Sequence, residues 1–292
     1  MKTPPLPAEA LMTVAGLPYP LKAKGKVREV FDLGAHYLIV ATDRLSAFDV
    51  VMPNGVPGKG ILLTQISLWW FEQARLIFPT HLVPDHAQAL AKALHGHEHL
   101  IPRSMLVRKL KPLPVEAVVR GYLAGSGFKE YRKAGAILDH PLPPGLLDGS
   151  KLPQPIFTPS TKAAEGHDEA ITRVRCGEIL GEKVFRTVQE TSLALYRMGA
   201  ERAAKAGVIL ADTKFEFGSA PDGSLVLIDE VLTPDSSRYW PGRAQPSYDK
   251  QFVRDWLEAQ PWNKTAPGPT LPADVVSKTQ ALYAECLERL TA

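Results

Sequence analysis

Residues 210–238, LADTKFEFGSAPDGSLVLIDEVLTPDSSR, decide how the chain is built. Across residues 211–217 apolar and charged side chains alternate. An extended strand therefore puts Asp212, Lys214 and Glu216 on one face and Ala211, Phe215 and Phe217 on the other. Asp222-Gly223 is a two-residue hairpin signal, and the run from Leu225 to Ile228 is apolar enough to return as a buried strand. With Asp222 and Gly223 at the tip, Glu216 lies directly opposite Asp229. Facing carboxylates about 5 Å apart repel each other, so a positive charge is expected between them. Oxygen ligands beside lysines suit Mg²⁺, which is commonly held by one or two carboxylates plus substrate phosphates. The alternative is a solvated hairpin whose charges face water. The apolar run leading into Asp229-Glu230, and Asp235-Ser236-Ser237-Arg238 just beyond, favour the binding reading.

Around this stretch the 292 residues, 45% hydrophobic and 22% charged, describe a soluble globular protein long enough for two lobes. A formal charge of +3 and no basic tract argue against a nucleic-acid surface, while leaving room for a local basic site for an anionic substrate. Prolines interrupt the first twenty residues where a signal peptide needs an apolar core, and no apolar run is long enough to span a bilayer. A cytoplasmic, membrane-free protein is expected, monomeric rather than dimeric. Cys176 and Cys286 lack CxxC spacing, so neither a disulfide framework nor a zinc ribbon is indicated.

The alternation over residues 25–31, Gly34, and the apolar run 37–41 predict a hairpin. Residues 64–78 carry a helical apolar stripe ended by Pro79. Strands are expected at 104–110 and 115–120, with Lys111-Pro112-Leu113-Pro114 dividing the lobes. Proline and glycine predict an irregular connection over 141–159. Helices are expected over 170–180, 182–206, 247–258 and 273–290, with Gly207 closing the second.

Three further clusters bear on chemistry. Lys24-Gly25-Lys26 combines close backbone approach with two point charges suited to phosphate, or is simply a solvated turn. Arg120 ends a strand before Gly125-Ser126-Gly127 and a short helix, favouring a phosphate or carboxylate, or capping alone. Lys162 precedes the polar run 165–169, whose Asp168 either caps the next helix or faces a ligand. No Walker loop or dinucleotide fingerprint is present. His95, His97 and His99 have no neighbouring acidic cluster to complete a metal site, and a solvated loop is the simpler reading.

Together GKVREVFD, ATDRLSAFD, VVRGYLAGSG, FTPSTKAAEGHDE, LADTKFEFG and LIDEVLTPDSSRYWP, in order from Gly25 to beyond Trp240, closely resemble the SAICAR synthase family of purine biosynthesis. The chain is similar to its longer form, which carries extra C-terminal helical sequence. The resemblance implies an α+β, two-lobe ATP-grasp-like fold with antiparallel sheets, C-terminal helices and ATP between the lobes. The expected division is a nucleotide-covering β-rich lobe over 1–112 and a lobe over 113–292 carrying the Mg²⁺ and substrate sites, ending in a helical segment at 245–292. The implied reaction joins L-aspartate to the carboxylate of carboxyaminoimidazole ribonucleotide (CAIR), with ATP cleaved to ADP and phosphate through an acyl phosphate.

Carried over by motif, Lys24, Gly25, Lys26 and Lys109 contact ATP, and Glu216 and Asp229 bind Mg²⁺. Arg120, Ser126, Arg238 and Ser46 hold the ribonucleotide. Lys162, Asp168, Asp212 and Lys214 line the region where aspartate meets the reacting carboxylate. Asp43 and Arg44 share Ser46's motif and are placed in the substrate cleft. The DEVLTPDSSR loop is longer than in the short bacterial forms.

Overall fold

The computed structural model describes residues 2–162, 168–242 and 247–292. The chain forms two compact units. The first contains Met1–Trp69, His81–Lys109 and Pro246–Ala292, and the second Trp70–Thr80 and Leu110–Gln245.

The first unit carries an antiparallel sheet in the order β1-β2-β3-β6, made of β1 (Leu21–Lys24), β2 (Arg28–Asp32), β3 (His36–Ala41) and β6 (Ser104–Arg108). Between β3 and β6 come the two-residue strands β4 (Ser46–Ala47) and β5 (Val50–Val51), then α1 (Lys59–Ala74) and α2 (His86–Ala93). Alternation along β2 and β3 buries Phe31, Leu38 and Val40 against Val83, Leu90, Leu94 and Leu106. Helix α1 starts five residues before the expected position and ends at Ala74, ahead of Pro79. Arg44 is buried: its guanidinium donates to the carbonyls of Gly25 (2.9 Å), Lys26 (2.9 Å) and Met12 (2.5 Å) and to Glu29 (2.8 Å). Asp43, fully buried, pairs with Arg103 at 2.9 Å and accepts the Gly60 and Leu11 N–H groups. Arg44 thus braces the Lys24-Gly25-Lys26 turn and Asp43 ties Arg103 to the start of α1, the two residues placed in the substrate cleft by the resemblance.

The second unit is built on a seven-stranded sheet. It contains β7 (Lys111–Pro112), β8 (Val115–Tyr122), β11 (Lys151–Phe157), β12 (Ser160–Thr161), β13 (Ile209–Ser219), β14 (Leu225–Ile228) and β15 (Ser237–Trp240). Its main path runs β11-β8-β13-β14. The strands β9 (Ala136–Ile137) and β10 (His140–Pro141) form a small ribbon after α3 (Gly125–Ala134). The segment expected to be irregular therefore contains β11, with Pro153 and Pro155 inside it. An edge strand tolerates proline because its outward N–H groups need no partner, and the β11–β8 register shifts between Lys151 and Ile156. Helices α4 (Arg173–Leu180) and α5 (Glu182–Lys205) meet at Gly181, whose φ of 79° takes the left-handed region freely. The α5 stripe of Val188, Ser192, Leu195, Tyr196, Gly199 and Ala203 is buried, and the Tyr196 hydroxyl donates to the Leu210 carbonyl at 2.8 Å.

The chain ends in α6 (Gln251–Glu258) and α7 (Ala273–Thr291). Their Val253, Leu257 and Val275 pack with Leu271 against Leu45, Val50, Met52 and Val56. The Asn54 side chain ties both backbone groups of Leu271, at 3.0 and 2.9 Å. The closing helices thus group with the N-terminal strands, not with residues 113–242 as the sequence division had it. Apolar periodicity marks which helix face is buried, but not against what. No described helix is long and apolar enough to cross a membrane.

Candidate active site on strand β13

The hairpin forms, one residue out of the expected register. Glu216 pairs with Ile228, Phe217 with Leu227 and Ser219 with Leu225. Asp222 does not sit at a two-residue tip. Its carboxylate accepts the Ser224 N–H (2.9 Å) and hydroxyl (2.7 Å), Gly223 takes φ 83°, and the Ala220 N–H reaches the Ser224 carbonyl at 2.9 Å. Pro221-Asp222-Gly223 is a three-residue loop, and the extra residue displaces Asp229 from the position opposite Glu216. Asp229 lies just past β14 with φ 66°, a left-handed conformation that aspartate tolerates better than most residues.

The facing carboxylates expected on β14 occur on β8 instead. The β13–β8 ladder pairs Asp212 with Arg120, Lys214 with Val118 and Phe215 with Ala117, and one step further along it Glu216 comes level with Glu116. A positive charge does lie between them. Lys214 Nζ bonds Glu116 Oε1 and stands 3.4 Å from Glu216 Oε1, while Lys162 bonds Glu216 Oε2. Burial pulls Lys214 toward neutrality, but Glu216, Glu116 and the field of Asp229 hold it above the ordinary lysine value. Burial pushes Glu116 up, against the pull of Lys214, and Asp168 and Glu216 push in the same direction as burial. Asp168 and Asp229 are thus electrostatic neighbours of the same cluster. Glu116 is the residue the sequence reading missed. Its signal was a single acid in the otherwise apolar run Val115 to Val119.

Four residues further along β8, Arg120 donates to Thr158 (3.0 Å), Asp212 (3.2 Å) and Ser126 (3.3 Å). Burial lowers Arg120 from the usual guanidinium value, and Asp212 opposes that. Arg238 on β15 lies opposite Asp212 and bonds its Oδ2. Thr233, fully buried, organises the long loop before it by donating to Glu230 (2.6 Å) and accepting the Asp235 N–H (3.2 Å). Gly125, with φ 56°, starts α3 beside Arg238, and a Cβ there would stand 2.3 Å from Arg238 Nη2. Asp212 was expected among the reacting groups, and here its Oδ2 pairs with both guanidiniums.

In the first unit, Lys24 stands 3.7 Å from Glu29, Lys26 pairs with Asp49, and Lys109 pairs with Asp32 at 2.5 Å while lying 4.7 Å above the Tyr37 ring. Ser46 lies half-buried on β4. Residues 163–167 fall outside the described residues. Among the described residues, no three His, Cys, Asp or Glu side chains gather as a ready metal cage.

An antiparallel sheet that presents interleaved charges beside an arginine pair fits an enzyme site for anionic substrates. The SAICAR synthetase family profile matches residues 21–269. A phosphoribosylaminoimidazole-succinocarboxamide synthase of Methylibium petroleiphilum is 55% identical over 286 residues, covering 94% of this chain and 95% of its own. The one from Syntrophotalea carbinolica is 53% identical over 276 residues, covering 92% and 93%. Among solved structures, the SAICAR synthase of Saccharomyces cerevisiae complexed with SAICAR superposes with a TM-score of 0.86 at 42% identity, covering 96% of this chain and 98% of that one. A SAICAR synthetase in complex with ADP gives 0.68 at 25% identity, covering 92% and 97%. The chain belongs to the SAICAR synthetase family. Its activity is that of an ATP-dependent ligase of purine biosynthesis, and the α+β fold with antiparallel sheets and C-terminal helices agrees.

Proposed function

We propose that β13 divides the reaction between its two ends. The observation carrying this is the balance of charge along one strand. At Asp212 two guanidiniums share a single carboxylate, leaving an excess of positive charge that suits the phosphate and carboxylate of CAIR. At Lys214 and Lys162 two ammoniums stand among Glu116, Glu216, Asp229 and Asp168, an excess of negative charge that suits a divalent cation.

Hard oxygen donors, too few to cage an ion alone, fit Mg²⁺ arriving with a triphosphate that completes its coordination. Glu216 and Asp229 would hold it, and bound there it would offset phosphate charge. Lys24, Gly25 and Lys26 are assigned to ATP by motif, and Lys109 is assigned to the same nucleotide. Ser126 and the N–H groups opening α3 add to the anion site of Arg120 and Arg238, and Ser46 is assigned to the same substrate.

A carboxylate resists amine attack because oxide is a poor leaving group. A CAIR carboxylate oxygen therefore takes the γ-phosphoryl, ADP leaves, and the acyl phosphate is attacked by the aspartate amine, expelling phosphate. Lys162 and Lys214 lie where they can neutralise the transferring oxygens as they exchange carboxylate for phosphate partners. Asp168, exposed and within the field of Glu116, is assigned to orient the amine. The work is positioning and charge stabilisation, with no side-chain nucleophile. The reaction is placed in the cytoplasm.

The test is ADP release with CAIR and aspartate supplied together and singly, for wild type and Asp229→Asn. Turnover should need both acceptors and nearly vanish in the variant while its thermal transition is kept. Retained turnover with unchanged Mg²⁺ dependence would remove Asp229 from the site, and ADP release without aspartate would point to a kinase.

A further inference from the structure

We propose that Glu116 is a positioning residue that holds Lys214 away from full capture by Glu216 and sets the spacing of the two lysines of the site. The proposal rests on the ligase reading above and assigns a task to a residue that touches none of the substrates in it.

Glu116 lies on β8 and is buried, and each of its oxygens has its own partner. Oε1 bonds Lys214 Nζ from β13, and Oε2 accepts the Ser160 hydroxyl at 3.2 Å from β12. Ser160 is also the backbone partner of Glu116 in the β12–β8 ladder. Two residues after Ser160 comes Lys162, whose N–H donates to the Pro114 carbonyl at 3.0 Å, so the Lys162 backbone is fixed to the chain just before β8. One carboxylate thus ties the strand that carries Lys214 to the strand that leads to Lys162. Both lysines converge on Glu216.

Lys214 therefore stands between two glutamates, closer to Glu116 than to Glu216. The other charges facing it are Lys162, Asp168 and Asp229. Neutralising Glu116 leaves Glu216 as the nearest counter-charge, and Lys214 then competes with any cation for that carboxylate. Lys214 is half-buried, and an ammonium partly withdrawn from water between two carboxylates moves to the one that keeps its charge. Glutamine keeps the shape and can still accept from Ser160, so Glu116→Gln removes the charge while retaining the strand contact. Glu116→Asp keeps the charge and shortens its reach.

The experiment measures Mg·ADP binding by calorimetry across a Mg²⁺ titration, alongside steady-state ADP release, for wild type, E116Q and E116D. E116Q should raise the Mg²⁺ concentration for half-maximal ADP binding by about tenfold, the effect of redistributing one charge-assisted hydrogen bond, and leave metal-free ADP binding within about twofold. E116D should recover most of that shift. A folded E116Q with an unchanged Mg²⁺ requirement overturns the proposal, and so do equal losses in E116Q and E116D, which would mean that only side-chain volume matters. If E116Q does not fold, Ser160→Ala releases Oε2 alone and should lower kcat about threefold with the fold intact. An unchanged kcat there would likewise overturn it. Failure of wild type to release ADP in an aspartate-dependent way would sink the ligase reading instead, while the binding titration would still decide the role of Glu116.

Discussion

Acidification should unload stability through His81, a histidine that the catalytic argument does not use. It is 2% exposed, and burial, followed by the charges of Arg28, His86 and Arg108, depresses its pKa from 6.5 to about 3. The unfolded chain then binds a proton near pH 6.5 that the folded chain refuses until near pH 3, so stability is intact above pH 6.5 and falls as pH drops below it. Each pH unit in that window costs about 1.4 kcal/mol, so pH 5.0 removes about 2 kcal/mol and the whole window about 5 kcal/mol. The neighbourhood supports a neutral ring. The His81 carbonyl accepts the Arg108 N–H at 2.8 Å, and next to it His86 Nε2 accepts the Leu106 N–H at 3.1 Å, an arrangement that wants no second positive charge. Urea unfolding of wild type and His81→Gln at pH 7.5 and 5.0 isolates the contribution. Glutamine does not titrate, so although it lowers stability at both pH values, wild type should lose about 2 kcal/mol more between them. Equal losses in the two proteins would refute the assignment, since other carboxylates and histidines titrate in both.

Two glycines give sharper steric tests. A Cβ on Gly121 would stand 1.8 Å from the Tyr196 hydroxyl oxygen and 2.6 Å from Cζ, so Gly121→Ala must displace that ring and break its bond to Leu210. A loss of about 2–4 kcal/mol is expected by chemical unfolding, and adding Tyr196→Phe should cost less than the two single changes combined, because the clashing oxygen is gone. Gly125→Ala meets the flexible end of Arg238 and a left-handed backbone together, so it should raise KM for CAIR about tenfold while leaving KM for ATP within twofold, as read from separate substrate titrations.

Much of this site was legible because strand alternation is strict. Asp212, Lys214 and Glu216 share a face in any extended conformation, and the apolar flanks of residues 211–217 require a strand. Helix α5 was equally plain from its buried stripe and closing glycine. What escaped was everything set by partners distant in sequence. The loop at Pro221-Asp222-Gly223 holds three residues, with Ser224 bonded to Asp222, and that extra residue takes Asp229 out of register with Glu216, while Glu116 faces Glu216 from β8 on the other side of β13. Glu116 could not be singled out until its strand was known to lie beside β13. Arg44 was placed only in the substrate cleft, because a sequence motif does not show that its guanidinium bonds the carbonyls of Gly25, Lys26 and Met12 and the Glu29 carboxylate. The strand with Pro153 and Pro155 was read as irregular because edge position, which excuses proline, is a property of the sheet.

The charges of β13 are interleaved: Asp212 lies between Arg120 and Arg238, Lys214 between Glu116 and Glu216, and Glu216 between Lys214 and Lys162. Each charge is thus shared by two opposite ones from different segments. Removing a single member leaves two partners short of a counter-charge at once, whereas removing a member together with its neighbour leaves fewer. Effects along the strand should therefore fall well short of additive, with any pair of adjacent deletions costing less than the two measured alone. The same sharing explains how buried charges remain usable. On the proposed assignment of Arg120 and Arg238 to the substrate, an arriving phosphate or carboxylate need only displace Asp212 from part of a pair it already divides, so one partner is exchanged for another.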